Sequence, residues 1–342
     1  MKAITIPKHG GREVLTIVDD YPIPSAGEGE VLVKVEATGL NRVDILVRQG
    51  YPGIEIELPH IPGGDIAGTV AETGSGVDSV DSSARVLVYP LVSCGECLLC
   101  LEGKRNLCLN WKYMGMHLKG GYAEYAVVPA DNIVPIPDSV TYEDAIACSI
   151  AGLTAYHGIK TVGELKEGQS FFIWGGAGGL GTLAIQMAKH LGATVYATAN
   201  SEEKLKIMRD LGVDYAFNRL EDDVPAQIRK TAPAGLDLIM DYVGPETFTT
   251  SWELLKKGGT MLLCGILTGR ETNLNIQFTY LRHLSIKGTN LGTMEEMKEL
   301  LALVADEKLK PYIGGTFPLE DAAKAQEMME ENRHIGKLIL KP

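Results

Sequence analysis

The sequence predicts an α/β protein of two domains, in which a doubly wound parallel sheet is inserted into a β-rich domain. Its 342 residues exceed the length of one typical domain. Hydrophobic residues make up 45% of the chain and charged residues 22%. This composition is typical of globular proteins with hydrophobic cores and does not predict disorder. The third observation is that the predicted secondary structure changes near Ala151, from short strands to alternating strands and helices.

The strands and helices follow from short sequence patterns. Runs rich in Val and Ile, separated by Gly, Pro and Asp, predict strands in the first 140 or so residues: KAITI, LTIVD, EVLVKVEATGL, DIAGTVAETG, ARVLVYP and AEYAVV. The apolar strands SFFIWG, TVYATA, LDLIMDYVG and GTMLLCGI then alternate with helical stretches. A strand, a helix (MEEMKELLALVAD) and a closing strand (GKLILKP) end the chain. We therefore expect residues 1–150 and 281–342 to form one domain and residues 151–280 the other.

The charge balance limits the class of partner. Thirty-two Lys and Arg against 44 Asp and Glu give a net charge of −12, which repels phosphate backbones and anionic lipid surfaces. No apolar run approaches the length of a membrane span, and the start MKAITIPKHGG lacks the apolar segment of a signal peptide. We expect a cytoplasmic protein that acts on a small molecule, with no nucleic-acid or membrane partner.

A glycine-rich turn, GGAGGLG, lies between the strand SFFIW and an amphipathic helix. Gly176, Gly178 and Gly181 fit the G-x-G-x-x-G pattern, in which the absent side chains permit a tight turn, close approach of a pyrophosphate and close helix packing. The start of the helix, with Gly179 and Leu180, offers N–H donors to the phosphates. A dinucleotide site is predicted here, although glycine-rich turns also arise for packing alone.

The next strand, TVYATA, ends without the carboxylate that would bind a ribose 2′-hydroxyl. Ser201 and Lys204 follow instead, with Arg219 after the next strand, and a hydroxyl with two cations suits a 2′-phosphate. This favours NADP(H) over NAD(H). The alternative is that Ser201 only caps the following helix and that Lys204 is solvated.

Four of the six cysteines lie within fifteen residues. Cys94, Cys97, Cys100 and Cys108 have the spacing C-x2-C-x2-C-x7-C, and four thiolates can close a tetrahedral site around one structural Zn²⁺. An iron–sulfur cluster is the rival interpretation, but its fourth cysteine usually follows closely and precedes proline. Four free thiols are the remaining alternative.

Several runs in this order resemble the medium-chain dehydrogenase/reductase superfamily: LNRVDILVRQG, PHIPGGDIAGTV, GGYAEYAVVPADNIVPIPDSV, LTAY, DYVG and HIGKLILKP. The resemblance covers the whole chain and implies a β-rich GroES-like catalytic domain with an inserted Rossmann domain. It also implies a homodimer or homotetramer, for which GTMLLCGIL is a candidate edge strand.

Within that superfamily, the positions of the catalytic zinc ligands separate the branches. Zinc alcohol dehydrogenases carry a Cys three residues before an Asp, the His of a Gly-His-Glu triplet, and often a Cys four residues before a Thr. Here those places hold Asn41, Gly64 and Ile150, none of them a strong zinc ligand. A rearranged zinc site would draw on residues nearby in sequence: Asp44, His60, Asp65 and Cys148. The sequence is most similar to the quinone oxidoreductase and enoyl reductase branches.

The predicted activity is hydride transfer from NADPH to a quinone or an α,β-unsaturated carbonyl compound without a catalytic zinc. Asn41 would orient the nicotinamide or substrate, and the resemblance implies that Thr154 packs at the nicotinamide, as the family's equivalent residue does. Tyr51 is the candidate proton donor, although a residue of a Tyr-Pro turn is the simpler interpretation. The remaining predicted cofactor contacts are Val243 and Gly265. The alternatives are a zinc alcohol dehydrogenase with a rearranged site and a non-catalytic NADPH-binding redox sensor.

Overall fold

The computed structural model describes residues 1–342. They divide into two compact units, which comprise residues 1–153, 293–307 and 311–342, and residues 154–292 and 308–310. The chain thus returns to the first unit at Thr293, later than the predicted boundary of 281. The reason is a short strand, Ser285–Gly288, which pairs with the sheet of the second unit.

Seventeen strands carry the two units. In chain order they are β1 (Ala3–Thr5), β2 (Thr16–Val18), β3 (Glu30–Gly39), β4 (Asp65–Thr73), β5 (Arg85–Val88), β6 (Leu91–Val92), β7 (Lys112–Tyr113), β8 (Tyr125–Pro129), β9 (Ile133–Pro135), β10 (Ser170–Ile173), β11 (Thr194–Ala199), β12 (Tyr215–Asn218), β13 (Leu236–Asp241), β14 (Leu255–Leu263), β15 (Ser285–Gly288), β16 (Ile313–Pro318) and β17 (Lys337–Lys341).

Eleven α-helices connect them. They are α1 (Arg42–Gln49), α2 (Leu98–Leu101), α3 (Tyr142–Cys148), α4 (Ile150–Tyr156), α5 (Gly179–His190), α6 (Glu202–Asp210), α7 (Val224–Thr231), α8 (Pro245–Leu254), α9 (Ile276–Leu281), α10 (Met294–Ala305) and α11 (Ala322–Glu330). A π-helical turn, His157–Val162, continues α4. None of the helices has both the length and the apolar character needed to cross a membrane.

The first unit is built on a seven-stranded sheet. The strand order is β16-β17-β3-β4-β5-β9, and β8 also pairs with β3. β16 and β17 are parallel, while the other pairs are antiparallel. Because β17 pairs with β3 at Ile339 and Gly39, the end of the chain lies beside the start of α1. The predicted β-rich, GroES-like domain is confirmed, and the C-terminal strand β17 pairs within its sheet.

The second unit is a six-stranded, fully parallel sheet in the order β12-β11-β10-β13-β14-β15. Counted along the chain, this is the order 3-2-1-4-5-6 of a doubly wound fold, which confirms the prediction. The expectation that GTMLLCGIL forms an edge strand is wrong. Its β14 pairs with β13 on one side and with β15 on the other, so β15 is the edge.

Candidate functional site

The glycine-rich turn leaves β10, the strand at which the order of the parallel sheet reverses. A Cβ at Gly176 would lie 2.7 Å from the sulfur of Met208 and 2.9 Å from the Cβ of Ala197. A Cβ at Gly181 would lie 2.6 Å from the carbonyl carbon and oxygen of Gly176. Both glycines therefore permit α5 to start directly against the turn, as the pattern predicts.

The first turn of α5 presents unpaired backbone donors. The first helical bond runs from the N–H of Thr182 to the carbonyl of Gly178. The N–H groups of Gly179, Leu180 and Gly181 precede it and have no carbonyl within the helix. Such donors, together with the positive end of the helix dipole, can bind a pyrophosphate. Ligands of doubly wound folds bind at this point, outside the carboxyl end of the first strand.

The residues predicted to select the cofactor follow β11. The Ser201 hydroxyl accepts a hydrogen bond from the Lys204 N–H at 3.4 Å, so Ser201 does cap α6. The Lys204 side chain is buried, not solvated as the alternative supposed. Arg219 is exposed, and its N–H donates to the carbonyl of Ala199 at the end of β11.

Three further predicted cofactor contacts lie in the second unit. Val243 follows β13, and its N–H donates to the Asp241 carboxylate at 3.0 Å. Gly265 follows β14, where a Cβ would lie 2.3 Å from the carbonyl oxygen of Tyr242. Thr154 is buried in α4. Val243 and Gly265 therefore share the carboxyl edge of the sheet with the glycine-rich turn.

The four clustered cysteines converge on one point. β6 and β7 pair antiparallel and hold together the two ends of the loop that carries them. All four sulfur atoms lie within 4.8 Å of one another, with 3.5 Å between Cys97 and Cys100 and 3.5 Å between Cys94 and Cys108. Four sulfurs at about 2.3 Å from a tetrahedral zinc are about 3.8 Å apart. The residues fit a closed, structural zinc site.

Backbone donors around the cluster favour thiolates. The N–H groups of Leu109 and Cys100 lower the pKa of Cys97 to about 6. Those of Glu96 and Cys97 lower the pKa of Cys94. Burial acts in the opposite direction on Cys100 and raises its pKa to about 11. A divalent cation would supply the positive charge that lets all four thiols ionise together.

Asn41 sits in a buried polar network in the first unit. Its Nδ2 donates to the Asp65 carboxylate at 2.7 Å, and its Oδ1 accepts from the Lys337 ammonium at 2.7 Å. Lys337 also contacts the same Asp65 carboxylate at 2.5 Å and the carbonyl of Leu40 at 2.9 Å. Lys337 is 2% exposed and Asp65 is 0% exposed, so this is a fully desolvated ion pair. Both heteroatoms of the Asn41 amide are thus held by the protein.

Asp44 lies beside this network on the first turn of α1. Its carboxylate accepts the Asn41 N–H at 2.8 Å and the Tyr122 hydroxyl at 3.4 Å. Burial is the largest influence on it and raises the pKa of Asp44 to about 7, helped by the negative charge of Asp65 and opposed by hydrogen bonds from Asn41 and Gly64. Asp44 therefore serves as a structural cap whose charge depends on pH near neutrality.

The places of the absent zinc ligands are filled by other groups. A Cβ at Gly64 would lie 2.8 Å from the Ile150 side chain, 3.0 Å from the carbonyl of Met114 and 3.1 Å from the Tyr113 ring. No side chain fits at position 64 without displacing them. The Ile150 N–H donates to the Asp65 carboxylate at 3.0 Å.

The residues proposed for a rearranged zinc site do not converge. The cysteine cluster is the only group of three or more His, Cys, Asp or Glu side chains whose ligand atoms come together. The Asp65 carboxylate is bound by Lys337. Cys148 is fully buried, and burial raises the pKa of its thiol and so disfavours the thiolate that zinc binds.

Two residues of this region, Lys337 and Tyr113, were not predicted from the sequence. Lys337 opens an apolar closing strand, and a lysine between apolar residues is the signal that could have revealed a buried charge. Tyr113 ends the strand β7, which has only two residues and therefore shows no alternation of apolar and polar residues that would predict a strand. Tyr51, which was predicted, is half-buried in a turn closed by the Ile54 N–H on the Tyr51 carbonyl. The backbone of Tyr51 thus has the conformation expected for a residue of a Tyr-Pro turn.

Comparison with known proteins agrees with this architecture. The model of the zinc-binding dehydrogenase family matches residues 179–306, and the model of the alcohol dehydrogenase GroES-like domain matches residues 27–138. An alcohol dehydrogenase of Geobacillus stearothermophilus is 36% identical over 319 residues, which are 93% of each chain. The quinone oxidoreductase of Mus musculus is 30% identical over 99% of this chain and 97% of its own.

A solved structure of an NAD-dependent alcohol dehydrogenase superimposes with a TM-score of 0.94 at 34% identity, covering 100% of both chains. The same family is indicated by both domains of the fold, by the glycine-rich turn and by relatives that match along nearly the whole chain. The chain belongs to the zinc-type alcohol dehydrogenase-like division of the medium-chain dehydrogenase/reductase superfamily.

Proposed function

We propose that this oxidoreductase transfers hydride from NADPH to a conjugated carbonyl acceptor, a quinone or an α,β-unsaturated ketone or aldehyde, without a catalytic zinc. The observation that carries the proposal is the filling of the zinc-ligand positions. Asn41 is held by Lys337 and Asp65, and a side chain at position 64 would have to displace Ile150 and crowd the Met114 carbonyl and the Tyr113 ring.

Reduction of a conjugated acceptor needs a catalytic metal less than alcohol oxidation does. Oxidation of an alcohol requires an alkoxide, which a metal stabilises by lowering the hydroxyl pKa. Bound NADPH supplies a hydride. When a conjugated acceptor takes it at the β carbon, the negative charge moves to the carbonyl oxygen, where hydrogen bonds can stabilise it. A proton taken up at the α carbon completes the saturated product.

Residues of the first unit would bind the acceptor. The remaining N–H of the Asn41 amide can orient the nicotinamide or the substrate, because its partners fix the plane of the amide. In the second unit, buried Thr154 would pack against the nicotinamide. Tyr51 remains a candidate proton donor, which an unchanged pH profile in Tyr51→Phe would exclude.

NADPH is the proposed cofactor because β11 ends at Ala199 and is followed by Asn200, without the carboxylate that would bind a ribose 2′-hydroxyl. The Ser201 hydroxyl accepts a bond from Lys204 N–H but keeps its own proton to donate to a phosphate. Glu202, one of two acids that could repel a 2′-phosphate, is paired with Arg209 at 2.6 Å. Exposed Arg219 follows β12, is tied through its N–H to the Ala199 carbonyl at the end of β11, and supplies a positive charge.

The cofactor proposal is tested by Arg219→Gln. We expect the Kd for NADPH, measured by fluorescence titration, to rise on the order of tenfold while the Kd for NADH stays the same, because only a 2′-phosphate contacts the guanidinium. Arg229→Gln is the matched control, since Arg229 is an exposed arginine of the same unit that faces Glu253. Tighter binding of NADH than of NADPH by the wild-type protein would contradict the proposal.

The reaction is tested by NADPH oxidation with 2-cyclohexenone, crotonaldehyde and 1,4-naphthoquinone, before and after dialysis against a chelator that leaves the cysteine cluster loaded. We expect turnover with at least one acceptor, unchanged by the chelator. No turnover with any of them, while NADPH still binds, would favour a redox sensor.

Alcohol oxidation is the second candidate function, because relatives such as the Geobacillus stearothermophilus protein are named alcohol dehydrogenases. It requires a second zinc per chain and chelator-sensitive oxidation of simple alcohols. Neither is expected, because Asn41, Gly64 and Ile150 offer no strong ligand.

We also propose a cytoplasmic homodimer or homotetramer, with β15 in place of β14 as the strand available for pairing. Ile286 on β15 is 38% exposed, and Tyr280 and Leu281 at the end of α9 are 59% and 57% exposed. Light scattering after size exclusion would detect the oligomer, and Ile286→Lys should weaken it if this edge forms the contact.

A further inference from the structure

We propose that the Tyr113 hydroxyl donates the hydrogen bond that holds the carbonyl oxygen of the acceptor, in place of the missing metal. The inference rests on the proposed function in one respect, because it takes a carbonyl compound to be the substrate. It identifies the residue that would stabilise the negative charge formed on the carbonyl oxygen during reduction.

Tyr113 lies close to the position of a zinc ligand of the zinc-dependent branch. The Tyr113 ring lies 3.1 Å from where a Cβ at Gly64 would be. Gly64 stands at the place of a zinc-binding histidine in the zinc-dependent branch. The Tyr113 ring therefore borders the space that this ligand would take, and Gly64 directly precedes Asp65 of the Asn41 network. The Tyr113 backbone is fixed by pairing of β7 with β6, Tyr113 opposite Leu91.

The Tyr113 hydroxyl is available to a ligand. Tyr113 is 5% exposed, yet no group of the protein is hydrogen-bonded to its oxygen. Its oxygen is also not among the fully enclosed side-chain atoms that lack a partner, so the small exposed part of the residue includes it. By contrast, buried Tyr122 donates to Asp44 and half-buried Tyr242 donates to Gly175. Tyr113 alone of these three phenols has a donor available for a ligand.

The surroundings of the Tyr113 ring keep its hydroxyl protonated. Burial, together with the negative charges of Asp65 and Asp44 and the neighbouring phenols of Tyr89 and Tyr51, raises the pKa of Tyr113 well above its usual range. The phenol therefore stays protonated at neutral pH and remains a donor. A protonated phenol in a desolvated position stabilises an enolate oxygen more strongly than water does.

The reaction balances with this residue as a donor only. The hydride brings two electrons to the β carbon, the C=C electron pair moves to form the enolate, and Tyr113 holds the enolate oxygen by its O–H. A proton from solvent, taken directly or through Tyr51, then reaches the α carbon, so enone, NADPH and one proton give the saturated ketone and NADP⁺. Tyr113 loses no proton in the net reaction.

The test combines kinetics with a vibrational measurement. We expect Tyr113→Phe to lower kcat/KM for 2-cyclohexenone on the order of 10²-fold, as for loss of one oxyanion donor, with unchanged Kd for NADPH. Tyr125→Phe is the matched control, because it removes the hydroxyl of a half-buried tyrosine on β8 in the same unit. It should leave kcat/KM unchanged.

The second readout needs no turnover. The infrared C=O stretch of carbonyl-¹³C-labelled 2-cyclohexenone is recorded on the protein saturated with NADP⁺. We expect a lowered stretch in wild type and Tyr125→Phe, and its return toward the free value in Tyr113→Phe. If Tyr113→Phe does not fold, Tyr113→3-fluorotyrosine supplies a stronger donor of nearly the same shape and should lower the stretch further.

The outcomes separate the two proposals. A lowered stretch that depends on Tyr113, without reduction of any acceptor, would support this inference and defeat the proposed function. Reduction of the enone with equal kcat/KM in wild type and Tyr113→Phe would defeat this inference alone. A wild-type protein whose bound enone shows no shift, or which binds no enone, would also overturn it.

Discussion

Removal of the Lys337 ammonium is the perturbation with the clearest expected cost. Lys337→Met keeps much of the apolar stem but leaves the Asp65 carboxylate, 0% exposed, without its ion-pair partner at 2.5 Å. It also deprives the Asn41 Oδ1 and the Leu40 carbonyl of the donor at 2.7 Å and 2.9 Å.

Breaking one side of a buried ion pair costs about 3–5 kcal/mol. Two donors stay on the Asp65 carboxylate, Asn41 Nδ2 at 2.7 Å and Ile150 N–H at 3.0 Å. These bonds compensate part of the lost charge, so we expect the lower end, a loss of about 3 kcal/mol in the free energy of unfolding of the first unit. Adding Asp65→Asn removes the unpaired charge, and the double variant should lose less than the sum of the two single variants.

The assay is urea unfolding at pH 7, with hydrogen exchange of peptides from β3 and β17 reporting on the first unit alone. Lys341→Met is the control, because Lys341 on the same strand is 47% exposed and pairs with Glu143, an ion pair expected to contribute less than about 1 kcal/mol. Equal losses in Lys337→Met and Lys341→Met, or strictly additive effects of Lys337→Met and Asp65→Asn, would refute the reasoning.

Three further predictions follow from other parts of the chain. Cys108→Ser should abolish bound zinc and speed hydrogen exchange in residues 93–110, whereas Cys264→Ser, outside the cluster, should keep the metal by elemental analysis. Gly181→Ala places a Cβ 2.6 Å from the preceding turn and should weaken NADPH binding at least tenfold by fluorescence titration; Gly288→Ala, where a Cβ meets nothing within 4 Å, should not. Because burial raises the pKa of Asp44 from 3.8 to about 7, the folded state favours its protonated form, and the stability that this proton contributes is lost as pH rises from about 4 to about 7. Asp44→Asn should therefore gain about 2–3 kcal/mol relative to wild type between pH 5 and pH 7 in urea unfolding, and no relative gain would contradict the buried, pH-dependent carboxyl.

Local patterns were sufficient to predict the parallel sheet and the two cofactor-related motifs. The glycines of the turn, the strand before it and the helix after it are contiguous in sequence, and so are the four cysteines. Their geometry depends on short spacings that the chain itself fixes.

The polar network could not be predicted in the same way. Lys337 and Asn41 are nearly 300 residues apart in sequence and meet only because β17 pairs with β3. Tyr113 reaches Gly64 through a two-residue strand without detectable periodicity. The edge of the parallel sheet was misplaced because apolar composition identifies a strand but does not reveal what pairs with its second side.

The most direct test of the central claim, a reductase without a catalytic metal, is the amount of zinc per chain. It is measured by elemental mass spectrometry on protein purified without chelator or added metal, beside the Cys108→Ser variant. The account predicts one zinc per wild-type chain and none in the variant, because only the cysteine cluster brings ligands together. Two zinc ions per wild-type chain, with one retained in Cys108→Ser, would contradict it and establish a second metal site.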